Sequence, residues 1–227
     1  MSDNSPRIYI GAGLYAPSGR GGGRNRANRI TDGLSESQVA GLIEATHFAV
    51  AVGMPFNRFT TIHWGAAGVS EPMVATSLLL KGMGEAVRRS GSEFACIWAR
   101  ENGDGKGEHL HILWHGPADF PALRSEFSRT LKACGAARLK GVRETLSIAR
   151  HLLAASNGSA VYQINLDGVL DYVLKGADKI ARATHGVKRE EFGGRVVGKR
   201  CGTTNNIGRE ARRRYGLSGG QGADKAG

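Results

Sequence analysis

His109 and His111 stand on either side of one leucine in the stretch GEHLHILWHG, Gly107–Gly116. The apolar residues around them are those of a strand, and on a strand the side chains at i and i+2 project from the same face. Two imidazoles then sit side by side, and neutral imidazole is a common metal ligand. A pair does not fill a coordination sphere, so a carboxylate from a neighbouring strand is the natural third ligand. Glu101 closes the preceding apolar run, separated from His109 by the turn cluster NGDGKG, and can lie beside the pair. Glu108 points to the opposite face by alternation. His115 keeps the parity of the pair but lies about 13 Å from His111 along the strand. The plainer reading is two half-exposed histidines hydrogen-bonded to their neighbours.

A second chemical pattern lies in LDYVLKGADK. Tyr172 and Lys175 are three apart and share a helical face, with Lys179 further along the same stripe. Tyrosine is among the side chains that form covalent intermediates, and lysine can neutralise charge that develops on a phosphate. The plainer reading here is an amphipathic helix with Tyr172 at the core edge and its lysines solvated. Tyr162 is a reserve nucleophile.

Periodicity and end signals place these residues on elements. SESQVAGLIEATHFAVAV has helical spacing, with Ser35 or Ser37 as its cap. NRFTTIHW alternates and reads as a strand. EPMVATSLLLKGMGEAVRRSG opens on proline and closes on arginines and glycine, a helix with both end signals. EFACIWARE and EHLHILWHG read as a hairpin. ADFPALRSEFSRTLKACG is a helix capped by Asp119 and stopped at Gly135. RETLSIARHLLAAS is helical or partly paired with the sheet, SAVYQIN is a last strand, and DGVLDYVLKGADKIAR is a helix opened by Asp167. The order α-β-α-β-β-α-β-α predicts an α+β fold: an antiparallel sheet with a central His-x-His strand and helices packed on one face.

The chain has 227 residues and a formal charge of +11. Residues 36–174 carry 13 basic and 13 acidic side chains, while residues 1–35 carry +3 and residues 175–227 carry +8. The excess favours a polyanionic partner, nucleic acid first and an anionic membrane surface second. The expected organisation is a basic Gly/Arg-rich disordered arm over 1–34, a domain over 35–182 and a basic tail over 183–227. Three well-separated cysteines and no secretory signal point to a reduced, cytoplasmic setting. No apolar run reaches the ~18 residues of a membrane span, so no membrane partner is expected.

His-hydrophobic-His at 109–111, followed by Tyr-x-x-Lys at 172–175, resembles the HUH endonuclease superfamily. Within it, the chain is similar to single-tyrosine rolling-circle replication initiators of plasmids and phages. FTTIHWG (Phe59–Gly65), GEHLHILWHG and DYVLKG stand in the order of that family's three motifs, over about Asn57 to Lys179. The resemblance implies a ferredoxin/RRM-like nuclease fold over 35–182 that nicks and rejoins single-stranded DNA at an origin. It implies Mg²⁺ or Mn²⁺ held by His109, His111 and Glu101, with Tyr172 as nucleophile and Lys175 as its helper. It also implies a bacterial cytoplasmic setting, with a host polymerase. His63 ends the first-motif strand and is expected to touch metal or DNA. With them, Lys179, Lys199, Arg200, Arg212, Arg213 and Arg214 are the candidate DNA contacts. The chain departs from larger initiators in having no Walker A sequence, so duplex opening falls to a host helicase or to supercoiling. Residues 135–158 have no counterpart in the family pattern. A relaxase or transposase has the same chemistry, and a non-catalytic DNA-binding protein has the same fold. Histidine-triad nucleotide hydrolases are disfavoured because Leu113 occupies the position of their third histidine. The oligomeric state and the recognition sequence are not legible.

Overall fold

The computed structural model describes residues 28–103, 105, 107–117, 121–148 and 160–219. The arm over 1–27 and the expected cap Asp119 lie outside the described residues. So do the last eight residues of RETLSIARHLLAAS.

Five strands form one antiparallel sheet: β2 (Arg58–His63), β3 (Ala95–Gly103), β4 (Gly107–His115), β5 (Arg143–Ser147) and β7 (Cys201–Thr203). Their order is β5-β2-β4-β3-β7, which puts the histidine strand β4 in the centre. The fold is α+β with an antiparallel sheet, as the sequence predicts. The β3–β4 hairpin places Glu101 directly opposite His109, and β2 places Thr61 opposite His111. A separate two-stranded ribbon joins β1 (Ile30–Thr31) to β6 (Val196–Val197).

The layering differs from expectation, because helices cover both faces of the sheet. Leu110, Ile112 and Trp114 pack with Cys96 and Trp98 against helices α3 (Pro72–Arg89) and α4 (Arg124–Ala133). On the histidine side, Ala95, Ile97, Ala99 and Leu113 pack against α1 (Glu36–Ala51) and α5 (Ala160–Val173). The reason is in the strands themselves. ACIWA and LHILW are nearly continuous apolar runs, the pattern of strands buried on both faces. The one-turn helix α2 (Trp64–Ala67) follows β2 directly.

The last third of the chain also departs from the prediction. The described part of SAVYQIN, from Ala160, is not a strand: it opens α5, which runs through Asp167 without a start. Tyr162, Leu166, Leu170 and Val173 all lie on the buried side, a helical period that crosses the expected boundary. The helix then breaks. Leu34 bridges to Ala177, its N–H donating to the Gly176 carbonyl and its carbonyl accepting from Asp178 N–H. Asp178 caps a new helix, α6 (Lys179–His185), by accepting Ala181 N–H at 2.8 Å. Lys179 is therefore an exposed first residue of α6 and does not continue the Tyr172–Lys175 stripe.

The segment expected as a tail is built into the domain over its described length. Cys201–Thr203 adds a strand to the sheet edge, Ile207 is fully buried, and helix α7 (Arg209–Gly219) packs against α1. Among the described residues no helix is long and apolar enough to cross a membrane.

Candidate active site

The sheet register creates the site. His109 Nε2 lies 3.1 Å and His111 Nε2 3.3 Å from Glu101 Oε2, and all three side chains are buried. One ligand atom from each residue falls within 4.8 Å of the others, the spread a single cation can bridge. The outer nitrogens are anchored: His109 Nδ1 lies 3.1 Å from the Gly107 carbonyl, and His111 Nδ1 3.1 Å from Thr61 Oγ1. A carbonyl only accepts, so His109 Nδ1 donates there, and Nε2 is the nitrogen turned to the Glu101 carboxylate. Among the described residues Glu101 Oε1 is buried without a hydrogen-bond partner, a second lone-pair group suited to a ligand. The donor set of two imidazoles, each anchored from behind, and one carboxylate fits a divalent ion.

Electrostatics point the same way. Burial pushes the His111 imidazole below its ordinary range, against the pull of Glu101, and so keeps it neutral and ready to bind a metal. Burial alone would raise Glu101. Hydrogen bonds from His109, His111 and Lys175 outweigh it and hold the carboxyl well below the usual carboxylate range.

Lys175 belongs to this centre. Its Nζ lies 2.8 Å from Glu101 Oε2 and 2.6 Å from Glu191 Oε2, and its side chain is 3 % exposed. Burial lowers its pKa, but the two carboxylates more than offset this and the ammonium is stabilised. The Tyr172 ring stands over the same spot. Its centroid is 5.1 Å from that of His111 and 5.7 Å from that of Phe59, both edge-on, with Lys175 Nζ 4.7 Å from its centre. Tyr162 is not part of the site. It is buried in the core, its hydroxyl donates to the Phe56 carbonyl at 2.8 Å, and burial raises its pKa far above the ordinary phenol value.

The remaining candidates scatter. His63 faces His109 across β2–β4, ring centroids 5.8 Å apart, at the margin of the centre. Lys199 lies over the Trp98 ring at 5.3 Å. Arg200 is a correction. It is fully buried and hydrogen-bonds Thr31, Arg100, Gly193 and Gly194, so it ties backbone segments together and offers nothing to DNA. Arg212 pairs with Glu44 at 3.0 Å, while Arg213 and Arg214 both pair with Glu210.

Sequence reasoning missed a strap over residues 188–194. The Asp171 carboxylate, next to Tyr172, accepts Lys188 N–H at 2.7 Å and Arg189 N–H at 3.2 Å. Glu191 N–H donates to the Lys175 carbonyl at 3.1 Å, and Gly193 accepts from Asn102 N–H at 2.9 Å. The strap thus joins the tyrosine helix to the glutamate strand. The close approach of Gly176 and Gly193 permits this, since a Cβ on Gly176 would lie 3.1 Å from Gly193 Cα and 3.3 Å from Glu101 Oε1. The signal for it is the glycine pair GG at 193–194, which the reading of 183–227 as a basic tail leaves unused.

No family model and no curated protein matches the chain. Among solved structures, the N-terminal nuclease domain of minute virus of mice non-structural protein 1 is similar over 70% of this chain and 79% of that chain. The identity is 12% and the TM-score 0.27. That domain coordinates Zn²⁺ in its active-site pocket and recognises DNA at an origin of replication.

Proposed function

We propose that the chain is an HUH-type DNA strand transferase that nicks and rejoins single-stranded DNA at an origin. The observation that carries this is one arrangement: the clustered Glu101, His109 and His111 with the Tyr172 ring 5.1 Å from His111. Glu101, His109 and His111 would hold a divalent ion, Mg²⁺ or Mn²⁺, which would supply Lewis acidity toward the phosphate. The Tyr172 oxygen attacks phosphorus in line, and its phenolic proton passes to solvent. The bond from phosphorus to the 3′-oxygen breaks, and that oxygen takes up a proton to become a free 3′-OH. The 5′-phosphate is left joined to the tyrosine, so the phosphodiester energy is kept for rejoining. Lys175 neutralises Glu101 and fixes the helical turn from which Tyr172 projects. A host polymerase would extend the 3′-OH, with a host helicase or supercoiling opening the duplex, in a bacterial cytoplasm and in the manner of rolling-circle replication.

The test incubates the full chain with labelled single-stranded DNA pools and Mn²⁺, then resolves covalent adducts on a denaturing gel. An adduct that needs metal is expected. Tyr172→Phe should abolish it and leave DNA binding within about twofold, because only the attacking oxygen is removed. Normal nicking by the variant would overturn the assignment of Tyr172.

A further inference from the structure

We propose that Arg189 is a further catalytic residue at this site: its guanidinium grips the scissile phosphate as Tyr172 attacks. The inference rests on the strand-transfer reading above and adds a residue to it. A phosphate that approaches Tyr172 brings negative charge, and that charge spreads over the non-bridging oxygens in the transition state. Two cations flank the tyrosine ring. One is Lys175, buried and locked between two carboxylates at 2.8 and 2.6 Å. Two of its three ammonium protons are thereby committed, and the buried Glu101 cannot release it cheaply.

The other is Arg189. Its Cζ lies 5.4 Å from the ring centroid, and its side chain is 54 % exposed. Its Nε stands 3.8 Å from Asp171 Oδ2, longer than a hydrogen bond, so the guanidinium fork is not committed there. Its backbone, by contrast, is held. Asp171 accepts the N–H groups of Lys188 and Arg189, and Asp171 adjoins Tyr172 on α5. Main-chain position and nucleophile are therefore set by one helical turn, while the charged head can turn toward solvent. A planar guanidinium meets two phosphate oxygens at once, which an ammonium cannot. Arg189 lies outside the sequence patterns that located the other site residues; only the fold of the strap brings it to the tyrosine.

The experiment measures the rate of covalent adduct formation by the full chain, as wild type, Arg189→Ala and Arg189→Lys. It is run alongside Mn²⁺ binding by titration calorimetry and thermal melting. Removing one preorganised group that stabilises transition-state charge typically costs 10²–10³ in rate. Arg189→Ala should therefore slow the adduct about 100-fold with Mn²⁺ affinity and melting temperature unchanged. Arg189→Lys should recover part of the loss. An Arg189→Ala rate within threefold of wild type overturns the inference and leaves the strand-transfer reading standing. A parallel loss of melting temperature or metal affinity, with no recovery by lysine, also overturns it, since Arg189 would then only brace the strap. Wild type that forms no adduct with any pool and metal overturns the reading itself, and this inference with it.

Discussion

Glu101 gathers the centre onto one oxygen: His109, His111 and Lys175 all converge on Oε2 while Oε1 stays unpartnered. Its folded pKa is depressed, so its contribution to stability is complete above the unfolded carboxylate value and is lost as pH falls below it. His111 is depressed too, because the fold keeps it neutral. Its contribution is complete above the unfolded imidazole value of about 6.5 and is lost as pH falls from there. Lys175 has the opposite sign. Its raised pKa protects stability below the unfolded lysine value, and that protection disappears as pH rises through the folded one. Metal-stripped protein should therefore melt at progressively lower temperature from pH 7 down to pH 4. His111→Gln should flatten the first part of that slope, near pH 6, which thermal melts at half-unit pH steps will reveal. An identical slope in the variant would mean that His111 is not held neutral.

At the scale of elements, the strap over 188–194 ties the helix of Tyr172 to the strand of Glu101. Gly194 sits at φ +67°, and a Cβ there would lie 1.7 Å from the Asn102 carbonyl oxygen. Gly194→Ala should cost roughly 2–3 kcal/mol and lower the melting temperature by about 5–10 °C. A melt within 1 °C of wild type would show that the strap is not tied to β3. Much of this level was legible in advance. Arg58–His63, Ala95–Gly103 and Gly107–His115 were readable as strands, and Pro72–Arg89 as a helix, because their apolar spacing and end residues agree. The pairing of Glu101 with His109 followed from a short hairpin turn. The start of α5 was misread because YQIN imitates strand alternation, although Tyr162, Leu166 and Leu170 keep a four-residue step. The break at Gly176 has visible signals, glycine followed by the cap Asp178, which compete with the helical spacing of Tyr172, Lys175 and Lys179. Val196–Val197 and Cys201–Thr203 are too short to show a period at all, and their place depends on partners far away in the chain.

For the whole molecule, the surplus of positive charge is not confined to loose ends. Residues 175–227 hold a net +8, yet their described part includes a sheet strand, a buried guanidinium and the core residue Ile207. Basic character and structural integrity are thus carried by the same segment. Ending the chain after Arg195 removes β7, Arg200 and Ile207 together and exposes the flank of β3. Such a truncation should abolish cooperative thermal unfolding, as read by circular dichroism. A sharp native-like transition would restore the view of that region as a detachable tail. Lys175 has a last consequence at this scale. A ligand cluster that already carries its own ammonium need not wait for an ion in order to fold. Unlike small domains that collapse only around zinc, this chain can leave the ribosome with the cluster already assembled, its own lysine seated on the carboxylate.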